Sequence, residues 1–226
     1  MSTENRQPIR GRGASGNPGN RFEEEYLDYD LNEETGQKPS QKTRLIRDDT
    51  KEILSTNNSP DIPFTYSLNP YRGCEHGCIY CYARPTHEYL GFSAGLDFES
   101  RIMVKYDAPK KLRAKLASRQ WKPQTIVLSG VTDPYQPVER KLEITRGCLR
   151  VLAEARHPVS IITKNYLVTR DIDYLSDLAK FNAAHVTLSI TTLNRDLARV
   201  MEPRTSHPDV GCRLLRNWLR PAYRWE

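Results

Sequence analysis

Asn69-Pro70-Tyr71-Arg72-Gly73-Cys74-Glu75-His76-Gly77-Cys78-Ile79-Tyr80-Cys81-Tyr82 is the stretch on which the reading of the chain turns. It holds three cysteines at C-x3-C-x2-C spacing, with two glycines and three tyrosines. A cysteine that only fills a core behaves as a small hydrophobe, and that role does not call for three in so short a loop. A soft metal does, because its ligands must converge on one point. Gly73 and Gly77 let the backbone fold back where a side chain would obstruct it.

The 226 residues suffice for one domain of ordinary size with a substantial core. A mean hydropathy of −0.68 and a hydrophobic content of 38% place part of the chain outside that core. No apolar run approaches the roughly 20 residues that cross a bilayer, and Met1–Arg6 lacks the apolar region of a secretory signal. The expected setting is cytoplasmic, without a membrane partner, where thiols stay reduced and clustered cysteines signal metal or chemistry. An odd total of five cysteines agrees. The net charge of +6 is compatible with a nucleic-acid partner and equally with a solvated basic surface.

Outward from the loop, three regions are expected. Residues 1–60 read as a disordered N-terminal arm: Arg10–Asn20 is rich in Gly, Asn and Arg, and an acidic patch follows from Glu23 to Glu34. Residues 61–208 read as the core and 209–226 as an atypical C-terminal tail. Within the core, strands are expected at 64–69, 101–106, 125–129, 159–163 and 186–191. Helices are expected at 79–90, 110–118, 142–155, 171–181 and 195–201. This alternation argues for βαβ units and a parallel sheet, with the ligand at the carboxyl ends of the strands. Those ends carry the cysteine loop, Ser129–Tyr135, Thr163-Lys164-Asn165 and Ser189–Thr192.

Three chemistries compete for the thiols. Structural zinc wants four ligands, commonly two C-x2-C pairs; here His76 or His87 would have to complete the set, since Cys148 and Cys212 are remote. A bacterial ferredoxin run is C-x2-C-x2-C-x3-C, which the spacing does not match. In the third, three thiolates on a four-iron cluster leave one iron open to a chelating small molecule. C-x3-C-x2-C with an aromatic before its last cysteine, placed after a first strand, resembles the signature of the radical S-adenosylmethionine (radical SAM) enzymes.

The resemblance extends to Asn69–His87, Gly95–Ser100, Thr132–Arg140 and Glu202-Pro203-Arg204, with Gly11–Ala14, Asn17-Pro18 and Asn20–Glu23 ahead of them. Together these are similar to the group called spore photoproduct lyase-like or DNA repair photolyase-like. The resemblance implies an α/β fold, a partial (β/α)6 barrel that is expected to be truncated after about its fourth strand. It implies a [4Fe-4S] cluster on Cys74, Cys78 and Cys81, and S-adenosylmethionine cleaved reductively to a 5′-deoxyadenosyl radical. An electron donor such as flavodoxin or ferredoxin is implied; the substrate is left unknown, with a DNA-related one as an option.

Carried over by position, Tyr80 and Tyr82 pack near adenine or cluster, and the Ser129–Asp133 turn, with Ser129 and Thr132, meets the methionine amino group. Lys164 pairs with the methionine carboxylate and Ser189 bonds the ribose or carboxylate. Where spore photoproduct lyase has a hydrogen-donating cysteine, this chain has Gly130. The other reading is an inactive remnant that binds at most metal or nucleic acid.

Overall fold

Ile126-Val127-Leu128 is an unbroken apolar run and is buried on both faces, as a central parallel strand requires. It lies in a computed structural model that describes residues 9–22 and 42–218. In chain order the elements are β1 (Arg44–Arg47), β2 (Ser55–Thr56), β3 (Tyr66–Leu68), β4 (Tyr71–Arg72), α1 (Leu96–Ser100) and β5 (Arg101–Val104). Then come α2 (Ala108–Leu116), β6 (Ile126–Leu128), α3 (Glu139–Leu142), α4 (Ile144–Glu154) and β7 (Val159–Thr163). The chain continues through α5 (Ile172–Ala179), β8 (Ala184–Leu188), α6 (Arg195–Met201) and α7 (Pro208–Trp218), with 3-10 segments at Arg84–Leu90 and Tyr166–Asp171.

The main sheet has the order β2-β3-β6-β7-β8. β3, β6, β7 and β8 are parallel, in register through Tyr66↔Ile126, Ile126↔Val159 and Val159↔Ala184. The fold is therefore α/β, and its four parallel strands are four that the sequence points to. Helices α2, α4 and α5 connect them, and Leu112, Leu149, Leu152 and Leu178 are fully buried against the sheet. Each such side chain stabilises the fold by about 1.5–3 kcal/mol. A second, smaller sheet of order β1-β5-β4 stands beside it. The chain leaves β3 through Asn69-Pro70, joins the small sheet as β4, and enters the cysteine loop at Gly73. The loop thus starts where the two sheets meet.

Two expectations need correction. Residues 1–60 are not an arm outside the core in their described parts: β1 pairs with β5, Ile53 and Leu54 are core residues, and residues 12–20 bond to the loop region. Residues 1–8 and 23–41 lie outside the described residues. The helix expected at 79–90 is only the 3-10 segment Arg84–Leu90. Tight i→i+3 bonds, Cys81 N–H to Cys78 O and Arg84 N–H to Cys81 O, form the loop instead, and Pro85 follows. The tail begins as a helix, α7, where Cβ on Gly211 would stand 3.0 Å from Ile190 Cδ1; the rest of 209–226 lies outside the described residues. Among the described residues no helix is long and apolar enough to cross a membrane.

Candidate metal centre

The cysteine loop is fastened from three directions by polar groups. From below comes Glu99, fully buried in α1, whose carboxylate accepts the Gly13 N–H (3.0 Å), the Ala14 N–H (2.9 Å) and Arg84 Nη2 (2.6 Å). Arg84 also donates to Cys78 O at 2.9 and 3.1 Å, and Arg12 donates to Glu99 O at 2.6 Å. The approach is so close that a Cβ on Gly13 would lie 1.8 Å from Gly77 O. Gly77 has φ +68° and its own Cβ would meet Glu99 Oε2 at 2.7 Å, so glycine is required there twice over.

From the strand ends, Gln136 is fully buried and accepts the Glu75 N–H (2.9 Å) while donating to Gly73 O (3.1 Å). Asp133 accepts Thr163 Oγ1 at 2.7 Å and the Lys164 N–H at 2.8 Å, and stands 3.3 Å from His76 Nδ1. Burial would raise the Asp133 carboxyl, but His76 and these donors hold it below the usual carboxylate range. Burial would lower His76 in turn, and Asp133 and Cys74 override it, pushing His76 up to about 10. From the C-terminal side, the Ile79 N–H donates to Met201 O, the Arg204 N–H donates to His76 O, and Arg204 Nη1 lies 3.3 Å from Glu75 Oε1.

Cys74 and Cys78 are buried and Cys81 is half-buried. Burial, then the neighbouring Cys74, push the Cys78 thiol up, and burial does the same to Cys81. Coordination to a cation deprotonates a thiol outright, so a cation reverses this penalty. Both imidazoles are engaged elsewhere through at least one ring nitrogen. The His87 Nε2 stands 3.0 Å from Arg101 O between Phe92 and Phe98, and both nitrogens of His76 face partners, Asp133 and Asn165. Among the described residues no three His, Cys, Asp or Glu side chains converge as the ligands of a single ion. A polynuclear cluster does not need that convergence, because each thiolate meets its own iron. The donor set fits a three-thiolate cluster better than zinc.

Beside the loop opens a shallow cleft, bounded among others by Lys164, Ser189, Thr191, Glu202 and Ser206. Lys164, just past β7, donates to Ser189 Oγ (2.9 Å) and Thr191 Oγ1 (2.8 Å) and pairs with Glu202 Oε1 (2.8 Å). Its Nζ also lies 5.7 Å from the centroid of the Tyr80 ring, and the Tyr80 hydroxyl donates to Glu202. Burial lowers the Lys164 ammonium, although Cys78 and Asp133 pull the other way. Burial raises the Glu202 carboxyl.

Tyr80, Lys164 and Ser189 therefore meet in one cleft. Tyr82 turns the other way, its ring exposed and its hydroxyl donating to Gly130 O. Gly130 has φ +105° and Ser129 φ +142°, a left-handed turn that presents backbone at the end of β6. Thr132 faces inward: it is 3% exposed and its hydroxyl donates to Tyr71 O at 2.9 Å. Cys148 is buried within α4 among core side chains. Glu202 and Thr191 were not singled out from sequence, although Glu202-Pro203-Arg204 stands in the motif set. Glu99 and Gln136 were likewise unassigned.

A parallel α/β sheet with a three-cysteine loop and a polar cleft at its strand ends defines an α/β fold with a candidate metal centre at its carboxyl edge. The family model described as the Radical SAM superfamily matches residues 68–218, and the chain belongs to that superfamily. Uncharacterized proteins of Mycobacterium bovis and Mycobacterium tuberculosis are each 37% identical over 158 residues, covering 70% of this chain and 46% of the relative. One from Methanocaldococcus jannaschii is 30% identical over 162 residues, covering 72% of this chain and 57% of its own length. The chain thus spans about half the length of the curated relatives it matches. Among solved structures, spore photoproduct lyase complexed with dinucleoside spore photoproduct shares the fold at a TM-score of 0.54 and 17% identity, covering 76% of this chain and 46% of the lyase.

Proposed function

We propose that Cys74, Cys78 and Cys81 hold a [4Fe-4S] cluster with one iron open, and that S-adenosylmethionine occupies the cleft beside it. When bound, the reduced cluster supplies the electron that splits the S–C5′ bond of S-adenosylmethionine, giving a 5′-deoxyadenosyl radical for hydrogen abstraction. The observation that carries this reading is the pairing of three thiols on one clamped loop with the Lys164 cleft directly alongside.

The chain's own groups bind and orient. Lys164 holds the methionine carboxylate as a point charge, and Ser189 adds a hydroxyl to the same ligand. The backbone of the Ser129–Gly130 turn faces the amino end, while Thr132 holds that turn from behind through Tyr71. Tyr80 forms one wall of the cleft and Tyr82 braces the turn. The buried loop keeps water from the thiols. An electron donor of the flavodoxin or ferredoxin class reduces the protein. A nucleic-acid substrate is favoured by the shared fold with a lyase that holds a dinucleoside, and the net charge of +6 is compatible with it.

The test is anaerobic reconstitution followed by reduction with dithionite in the presence of S-adenosylmethionine. The expected product is 5′-deoxyadenosine, absent when any of the three cysteines is alanine. A reconstituted cluster that never yields 5′-deoxyadenosine would leave the non-catalytic reading standing.

A further inference from the structure

Lys164 has three N–H donors, and the structure spends all of them: on Ser189 Oγ, on Thr191 Oγ1 and on Glu202 Oε1. A ligand carboxylate therefore reaches Lys164 only by displacing one acceptor. Ser189 and Thr191 stand just past β8 and are neutral. Glu202 is the acceptor that resembles the incoming group, and its single oxygen Oε1 also takes the Tyr80 and Thr191 hydroxyls. A carboxylate, a lysine and two hydroxyls thus form a closed carboxylate site filled from within the chain.

Glu202 also sits on a strap. Residues 201–206 run from the end of α6 across the cysteine loop, through the Ile79 N–H to Met201 O, the Arg204 N–H to His76 O and the Ser206 N–H to Lys164 O. Pro203 follows Glu202, and the Glu202 N–H is bonded to Ala198 O at 2.8 Å. The backbone is anchored on both sides, so displacement falls to the side chain, which must give up its Oε1 partners and the Thr205 hydroxyl on Oε2 (3.4 Å). A buried ion pair is costly to break when one partner is left alone; exchange of one carboxylate for another keeps Lys164 paired, and the displaced Glu202 carboxylate must turn to water.

We propose that Glu202 is an internal stand-in for the ligand's α-carboxylate, occupying the Lys164 subsite until S-adenosylmethionine displaces it. This rests on the reading of Lys164 as the carboxylate partner. Glu202 is a positioning residue that sets affinity by competition: the empty subsite keeps its charge balanced and the loop its shape, at the cost of weaker ligand binding.

The test is equilibrium binding of labelled S-adenosylmethionine, and of its decarboxylated analogue, to the reconstituted full chain. Glu202→Gln keeps the shape and removes the competing charge, and it is expected to bind S-adenosylmethionine about tenfold tighter, with the decarboxylated analogue unchanged. Glu202→Asp, whose carboxylate is withdrawn by one methylene, is expected to tighten binding by a smaller factor and decides the matter if the glutamine variant does not fold. Unchanged or weaker binding of S-adenosylmethionine by the folded variants overturns the proposal, as does an equal change for both ligands, which marks a structural role. Lys164→Met separates the two levels. A loss of at least about tenfold in S-adenosylmethionine affinity keeps the carboxylate reading of Lys164 in place. No loss removes that reading and the stand-in with it.

Discussion

The cysteine loop and the cleft beside it touch through Tyr80 and Lys164, yet they are held by different means. The loop is held by side chains with little solvent exposure: Gln136 bonds its backbone, Asp133 meets the ring of His76, and Glu99 ties down Arg84 and the Gly13-Ala14 segment beneath it. The cleft is walled by hydroxyls and one ion pair at the margin of the sheet. Burial falls in the same direction, from β6, buried throughout, through β7, which alternates, to β8, which has no fully buried residue. A ligand set must keep its geometry, since misplaced thiolates lose the metal. A site that admits and releases a ligand must rearrange at small cost. The contrast assigns rigidity to the first and exchange to the second.

The largest effect that would break this contrast lies beneath the loop. Glu99→Ala strips one carboxylate from Arg84 and from two arm N–H groups and is expected to cost about 3–5 kcal/mol. Urea unfolding measures the loss, and limited proteolysis near residue 13 detects release of the arm. A cost near zero would mean that the arm is incidental to the loop.

Next is Gln136→Ala. It leaves the Glu75 N–H and the Gly73 carbonyl without their buried partner and should cost about 1–3 kcal/mol, again read by urea unfolding. Below that stands a pH effect from His87, which is fully buried and whose burial lowers its pKa to about 4. Its contribution is complete above the unfolded value of about 6.5 and is lost as pH falls toward about 4. The metal-free protein is expected to lose about 1 kcal/mol between pH 7 and 5.5 from this group, and His87→Phe should flatten that slope. Smallest of all is Val200→Ala on α6. Val200 is 66% exposed, and the change should stay within about 0.5 kcal/mol by the same unfolding measurement.

Much of the sheet was legible because short apolar runs carry it. Val159–Thr163 forms a strand at the expected bounds, and Ile126–Leu128 lies within the run expected for it. The cysteine spacing marked the loop for the same reason, since ligands on one short segment leave a local pattern. What was illegible is non-local. Residues 10–20 look like a tail in composition, yet Gly13 and Ala14 satisfy a carboxylate that lies 86 and 85 positions away. Glu202 reads as an ordinary charge until the fold places it against Lys164 from another element. Thr132 sits in the expected turn, but a one-dimensional pattern does not tell which way its hydroxyl points, and here it points inward. The helix expected from Ile79 was lost to the loop's own turns, which hold Cys78 and Cys81 by i→i+3 bonds rather than by a helical ladder.

One measurement bears most directly on the three thiols and the open position beside them: iron analysis and electron paramagnetic resonance of the anaerobically reconstituted, reduced chain, with and without S-adenosylmethionine. The expected result is about four irons per chain, lost in the Cys74, Cys78 and Cys81 alanine variants, and a reduced-cluster signal that shifts when S-adenosylmethionine is added. Zinc in place of iron, or a cluster signal indifferent to S-adenosylmethionine, would contradict it.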